Sequence, residues 1–285
     1  QSDIAALAEQ LRQAKVDAVA IAFLHSYRNP TNERQVAAWL GEQLAVGSWQ
    51  LAVGSGQWTV ASETLSALNP QLSTLNRQPS TVHLQLSISS EVAPEIREYE
   101  RTSTTVANAY VQPKVQGYLR RLEAALKAEG YGGRLYLTLS SGGNAIANTA
   151  AQYPIRLVES GPAAGAVAAA YFGASAGKRD LVAFDMGGTT PKICVIDNGR
   201  PELARELEVA RLHRFKKGSG IPLQFPSIDM IEIGAGGGSI AKYDQLGLLK
   251  IGPESAASDP GPACYGLGGT QPTVTDANLL LGYLN

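Results

Sequence analysis

Asp185-Met-Gly-Gly-Thr-Thr190 places a carboxylate, two glycines and two hydroxyls in one short stretch. The apolar run Leu181-Val-Ala-Phe184 leads into it and reads as a buried strand that ends in a tight glycine turn. With no Cβ in the way, backbone N–H groups of such a turn can approach an anion. Asp185, at the strand end, can hold a metal-bound water or orient a nucleophile. The bare Asp-x-Gly-Gly pattern is also what an ordinary hairpin with a glycine turn looks like. Lys192-Ile-Cys-Val-Ile196 reads as a second strand, and Asp197-Asn-Gly199 as a type I′-like turn after it. The glycine turn is therefore expected at a hairpin tip. Further on, Ile228-Asp-Met-Ile-Glu-Ile233 enters Gly234-Ala-Gly-Gly-Gly-Ser239, the densest glycine cluster in the chain. Gly236, Gly237 and Gly238 are expected beside the same cleft, with a simple packing turn as the alternative.

Several elements must position these residues. Ile4, Leu7, Ala8, Leu11 and Ala14 recur at helical spacing behind a Ser2-Asp3 cap, giving a helix to about Gln13. Val16 to Phe23 reads as a buried strand and Asn32 to Leu44 as a helix, an α/β alternation. The loop after that strand carries His25 and Arg28, at the strand end where α/β proteins place ligands; a structural role for both is the simpler reading. Residues 44–83 differ: Leu-Ala-Val-Gly-Ser-Trp-Gln is followed at once by Leu-Ala-Val-Gly-Ser-Gly-Gln, then by Ser/Thr/Gln/Asn-rich sequence. Two copies of seven residues make no solenoid, and the composition predicts an inserted loop or disordered segment. Leu84, Leu86 and Ile88 then alternate as in a strand. Val115 to Ala128 predicts a helix, and Ala163-Ala-Gly-Ala-Val-Ala-Ala-Ala-Tyr171 one of small residues against which something packs closely. Three segments follow: 1–43, an insertion at 44–83, and a core at 84–285.

Composition excludes several classes of function. A net charge of −1 offers no general attraction to nucleic acid or to an anionic membrane. No stretch approaches the ~18 apolar residues of a membrane helix, and the start shows no signal pattern. Cys194 and Cys264 form no Cys-x-x-Cys pattern, which fits a reducing, cytoplasmic setting. Cys194 is expected in the core and Cys264 exposed. His25, His83 and His213 are too scattered for a zinc site. Among the charged residues, Arg156 and Glu159 suggest a structural ion pair, and Lys216-Lys217 a solvated basic loop. Asp229 and Glu232 sit at odd spacing on one strand and are no natural carboxylate pair. Asp259 and Asp276 read as caps.

A strand–Asp-x-Gly-Gly-Thr–strand hairpin resembles the phosphate-holding device of the actin, sugar-kinase and chaperone-ATPase superfamily. It is unlike a P-loop, whose Gly-x-x-x-x-Gly-Lys-Ser/Thr pattern is absent. Further motifs occur in order: Arg97-Glu-Tyr-Glu-Arg-Thr-Ser-Thr-Thr105, Ser140-Ser-Gly-Gly143, Val158-Glu-Ser-Gly-Pro-Ala-Ala164, Glu232 to Ile240, Asp259-Pro-Gly-Pro-Ala-Cys-Tyr-Gly266 and Pro272-Thr-Val-Thr-Asp-Ala277. With the hairpin they resemble the hydantoinase A/5-oxoprolinase family over residues 1–43 and 84–285. Thr190 to Gly199 is most similar to the N-methylhydantoinase branch, with Pro191 where a small residue is expected.

The resemblance implies α/β, ribonuclease H-like lobes and ATP-dependent opening of a cyclic amide: a hydantoin, 5-oxoproline or a related lactam. ATP would phosphorylate the amide oxygen, and water would capture the activated centre with loss of phosphate. It further implies that Asp185, Gly187, Gly188, Thr189 and Thr190 hold phosphate and Mg2+, with Asp185 on the metal, and that a hydantoinase B-type second subunit is the partner. A related reading is a ketone carboxylase subunit; a non-enzymatic one is a truncated, inactive binding subunit. The family's first Asp-x-Gly-Gly-Thr hairpin and its later adenosine-binding segment are not found, so an incomplete set of lobes is expected.

Overall fold

The computed structural model describes residues 2–44, 50–53, 56–59, 84–213 and 218–285. The chain divides into two compact units, one of residues 1–136, 146–155 and 206–225, the other of 137–145, 156–205 and 226–285. Of the residues singled out above, His83, Lys216 and Lys217 lie outside the described ones, as does most of 44–83.

The first unit begins α1 (Ser2–Ala14), β1 (Ala18–Ile21), α2 (Thr31–Leu44), close to the expected bounds. Within 44–83 the described residues include β2 (Gln50–Val53) and β3 (Gly56–Thr59), which pair antiparallel from Gln50↔Thr59 to Val53↔Gly56. Then come β4 (Gln85–Ile88), α3 (Ser89–Val92) and α4 (Glu98–Ala128). β4 lies parallel to β1, Ala18 opposite Gln85 and Ile21 opposite Ile88. The strand after the repeat segment thus closes on the strand before it, so both fall in one compact unit. Ala8, Ile21, Ala37, Leu40 and Ile88 form the core beneath the pair.

α4 starts well before the expected Val115 and carries Pro113 inside it. Its N-terminal half buries Arg101, Thr104, Thr105, Asn108 and Gln112. Those positions recur at helical spacing, but they are polar, so a search for an apolar face passes over them. They are held by hydrogen bonds instead. Asn108 Nδ2 donates to Ser87 Oγ at 2.9 Å and its Oδ1 accepts from Ile155 N at 3.2 Å, while Thr104 Oγ1 accepts from Gln224 N at 2.7 Å. Arg101 is fully buried; it donates to Phe23 O (2.8 Å), Glu95 O (3.1 Å) and Ser89 Oγ (3.1 Å), with the Tyr27 ring 5.5 Å away. Glu33, also fully buried, accepts from Phe23 N, Ser89 Oγ and Ser90 N. Burial works against its charge, but these donors outweigh it and hold the carboxyl below the usual range.

The chain continues through β5 (Tyr136–Thr138), β6 (Asn144–Ile146), α5 (Ala147–Gln152) and a 3-10 turn, Pro154–Leu157. The second unit is built on α6 (Ser160–Ser175), β7 (Leu181–Met186), β8 (Pro191–Asp197), β9 (Arg200–Pro201), and, after β10 (Leu203–Val209) and β11 (Ile221–Ile228), β12 (Ile231–Glu232). β13 (Ser239–Tyr243), β14 (Leu249–Ser255) and α7 (Val274–Leu280) complete it. The sheet order is β12-β8-β7, with β9 also on β8. α6 lies on one face, burying Ala163, Ala166 and Ala170 against Cys194, Ile196 and Ile228. A Cβ at Gly173 would overlap the Leu181 side chain, so the small residues do permit the close approach expected of them.

Two expectations need correcting. β7 is not buried on both faces: Leu181 and Ala183 face α6, but Val182 and Phe184 are 62% and 60% exposed. As an edge strand covered by a helix on one side only, it obeys period-two alternation. Asp276 does not cap the last helix as its first residue. Thr273 is the N-cap, and Asp276 completes a capping box three residues on. Asp276 also accepts from Cys264 N at 2.8 Å. Burial opposes the ionised form, yet the Cys264 and Thr273 donors hold the carboxyl far below its ordinary range.

Candidate functional site

β7 and β8 pair antiparallel from Leu181↔Ile196 to Met186↔Pro191, leaving Gly187 to Thr190 as the tip. The next turn repeats the device at a smaller scale: Asp197 pairs with Arg200 across Asn198 and Gly199, both at positive φ. The tip is held from behind. Gly237 N donates to Gly187 O at 2.9 Å and Gly238 N to Gly188 O at 2.7 Å. A Cβ on Gly236 would stand 2.6 Å from the Thr189 backbone, so only glycine fits there. The segment is itself fixed: Gly236 N donates to Ser239 Oγ (2.8 Å), and the Gly237 and Gly238 carbonyls accept from Thr275 N and Ala256 N (both 2.8 Å).

These bonds divide the tip's polar groups. The Gly187 and Gly188 carbonyls are occupied. The N–H groups of Gly188 and Thr189 and the hydroxyls of Thr189 and Thr190 have no partner among the described residues. What faces outward is a set of donors. Gly237 and Gly238 thus lie beside the hairpin tip, as expected, with their amides engaged by its carbonyls.

Asp185 lies on the α6 side of the hairpin, where a Cβ on Gly165 would be 3.6 Å from its Oδ2. Its carboxylate has no hydrogen-bond or ion-pair partner among the described residues. It lines a hollow of about 250 Å³ with Pro162, Gly165 and Ala169 of α6, with Lys192 and Cys194 of β8, and with Met230. An unpaired carboxylate beside a cradle of donors fits a phosphate with its divalent cation: the N–H and hydroxyl groups take phosphate oxygens, the carboxylate takes the cation's side.

One constellation in this region was not legible beforehand. Lys192 stands opposite Asp185 in register. Its Nζ pairs with Glu159 Oε1 at 2.9 Å and with Glu232 Oε1. Glu159 precedes α6 in the left-handed region (φ 60°), a costly conformation for a residue with a Cβ. The ion-pair partner found for Glu159 is thus Lys192, and Glu232, discounted as a partner of Asp229, joins Glu159 instead. Burial opposes the Lys192 charge, but the two carboxylates outweigh it and raise its pKa. Burial also raises Glu159; Lys192 pulls it down, and the nearby Glu232 carboxylate pushes it up again, leaving it above the ordinary value. Residues 159, 192 and 232 share no sequence spacing, so only the motifs around each pointed toward them.

Cys194 is buried and Cys264 exposed, as expected. Ser140 of the Ser-Ser-Gly-Gly motif is a structural residue, its Oγ donating to the Arg156 and Val158 carbonyls at 2.6 Å. No metal-binding group of three or more His, Cys, Asp or Glu side chains occurs among the described residues. Nor is any helix among them long and apolar enough to cross a membrane.

The hydantoinase/oxoprolinase family model matches residues 101–285, and the model of the same family's N-terminal region matches residues 1–44. An uncharacterized protein of Methanocaldococcus jannaschii is 40% identical over 287 residues, covering 100% of this chain and 37% of that protein. Caprolactamase subunit alpha of Pseudomonas jessenii is 34% identical over 284 residues, covering 100% and 34%. Acetophenone carboxylase gamma subunit of Aromatoleum aromaticum is 38% identical over 207 residues, covering 70% and 26%. The crystal structure of the ATP-dependent caprolactamase superposes with a TM-score of 0.68 at 33% identity, over 100% of this chain and 34% of that one. Nucleotide-free acetone carboxylase shares the fold, with a TM-score of 0.64 at 24% identity over 99% and 34%. The chain thus spans about a third of the length of the relatives it matches most fully. On both family models and on the motifs placed around its hairpin, the chain belongs to the hydantoinase/oxoprolinase family.

Proposed function

We propose that this chain is the phosphate-holding portion of an ATP-dependent enzyme that opens a cyclic amide: a hydantoin, 5-oxoproline or a related lactam. The observation that carries the reading is the hairpin tip, whose carbonyls are tied down and whose donors face outward beside an unpaired Asp185. Magnesium ATP supplies the phosphoryl group that turns a resistant ring amide into one with a good leaving group. The chain's own residues do the holding. Gly188, Thr189 and Thr190 donate to phosphate oxygens, and Asp185 stands on the cation's side. Gly236 to Gly238 keep the tip rigid, so its donors need no rearrangement as charge develops. The kinship with caprolactamase subunit alpha supports the lactam class and a second subunit; we take that subunit to be of the hydantoinase B type and the setting to be cytoplasmic.

The likeness to a ketone carboxylase subunit supports a second reading, in which the same hairpin serves activation of a ketone. Phosphate release by the chain together with its second subunit, measured with hydantoins, 5-oxoproline and caprolactam and then with ketones plus bicarbonate, separates the two. The first reading expects release with the ring amides alone. In either case Asp185→Asn lowers turnover at least a hundredfold; an unchanged rate removes Asp185 from the site.

A further inference from the structure

Lys192 is the one cation that the described residues place on the wall of the Asp185 hollow. It stands opposite Asp185 across the hairpin, and such partners share a face with Cβ atoms about 4.5–5.5 Å apart. Its side chain is 14% exposed, so the ammonium is largely withdrawn from bulk water. An ammonium has three donors. Two go to Glu159 and Glu232, and the third has no partner among the described residues. Among the described residues, Asp185 from β7, Glu159 before α6 and Glu232 from β12 are carboxylates of the same region. A lysine placed merely to join α6 to β12 has no need to line the hollow or to keep a donor in reserve.

We propose that Lys192 is a phosphate-contacting residue of the hairpin site, held in place by Glu159 and Glu232, its third N–H reserved for an oxygen of a nucleotide phosphate seated beside Asp185. The inference rests on the phosphate-holding reading of the hairpin. In it the two glutamates are positioning residues that also restrain the lysine; removing their charge leaves the ammonium fully available to the phosphate.

Calorimetric titration of the chain with magnesium ATP tests this. The wild type binds, Lys192→Met weakens binding at least tenfold, and the Glu159→Gln/Glu232→Gln double variant tightens it severalfold. That gain is absent when Lys192→Met is added. If the gain persists without the lysine, the glutamates act only through their own field, and Lys192 is a strut. A wild type that binds while Lys192→Met binds equally well overturns the lysine assignment and leaves the hairpin reading standing; a wild type that does not bind overturns both. A second measurement needs no variant. Amine acylation read by peptide mass spectrometry shows Lys192 protected by magnesium ATP, and equal labelling with and without nucleotide rejects the contact.

Discussion

Each unit holds a cation among carboxylates, and the two are built on opposite terms. Around Arg101 and Glu33 both charged groups are fully buried and tied by hydrogen bonds to Phe23, Ser89, Ser90 and Glu95, with Glu98 Oε1 a further 3.7 Å from the guanidinium. Around Lys192 the groups are partly exposed, and one ammonium donor has no partner among the described residues. A closed network fixes a fold, since burying charge without partners is costly. An open one tolerates ligand-dependent rearrangement, since water already supplies part of what the protein does not. The difference separates structural charge from functional charge on burial, without appeal to the chemistry of any one residue.

The widest gap between the regions is expected on removing each cation. Arg101→Met leaves Glu33 in a dry site with its Ser89 relay broken and strips donors from the Phe23 and Glu95 carbonyls. A loss of about 3–5 kcal/mol follows, read as a lower midpoint in urea unfolding followed by circular dichroism. Lys192→Met leaves its carboxylates partly hydrated and is expected to lose only about 1–2 kcal/mol. Equal losses would erase the distinction.

A smaller effect separates scaffold from ligand contact within the second unit. Gly236→Ala brings a methyl to 2.6 Å of the Thr189 backbone, where no flexible side chain can give way. Overpacking of this kind costs about 1–3 kcal/mol, and here the easiest relief is to displace the hairpin tip. Nucleotide affinity is therefore expected to fall with stability. Gly188→Ala, where a Cβ meets nothing within 4 Å, is expected to keep stability and lose affinity alone.

What the sequence disclosed follows the same division. The Asp185 hairpin was legible because a strand, a glycine turn and a strand are contiguous, and local order is what periodicity and turn chemistry report. The glycine cluster at 236–238 was visible, but not its bonding: that the Gly237 and Gly238 amides donate to the tip depends on a register between segments some fifty residues apart. α4 was half missed because Arg101, Thr104, Thr105, Asn108 and Gln112 present a buried face written in polar residues, and Pro113 invites a later start. The lysine with its two glutamates was invisible as a group, since three elements of the fold each contribute one residue.

The smallest effect is one of sign, and it places the two regions on opposite sides of a carboxylate titration. Glu33 sits below the ordinary value of 4.5 because its donors outweigh its burial. Its contribution to stability is complete above pH 4.5 and is lost as pH falls through its lower folded value. Glu159 sits above 4.5, burial being the main cause. Its contribution is present below 4.5 and is lost as pH rises through its raised value. Glu33→Gln is thus expected to flatten the acid limb of stability, with a lower plateau near neutrality. Glu159→Gln removes the loss on the other side, so its stability relative to the wild type improves from pH 4 toward pH 7. Urea midpoints at pH 3, 4, 5 and 7 for both variants read this directly. Parallel curves would mean that the carboxylates at the two lobes' charge clusters titrate alike, and that openness at Lys192 is not what distinguishes the site.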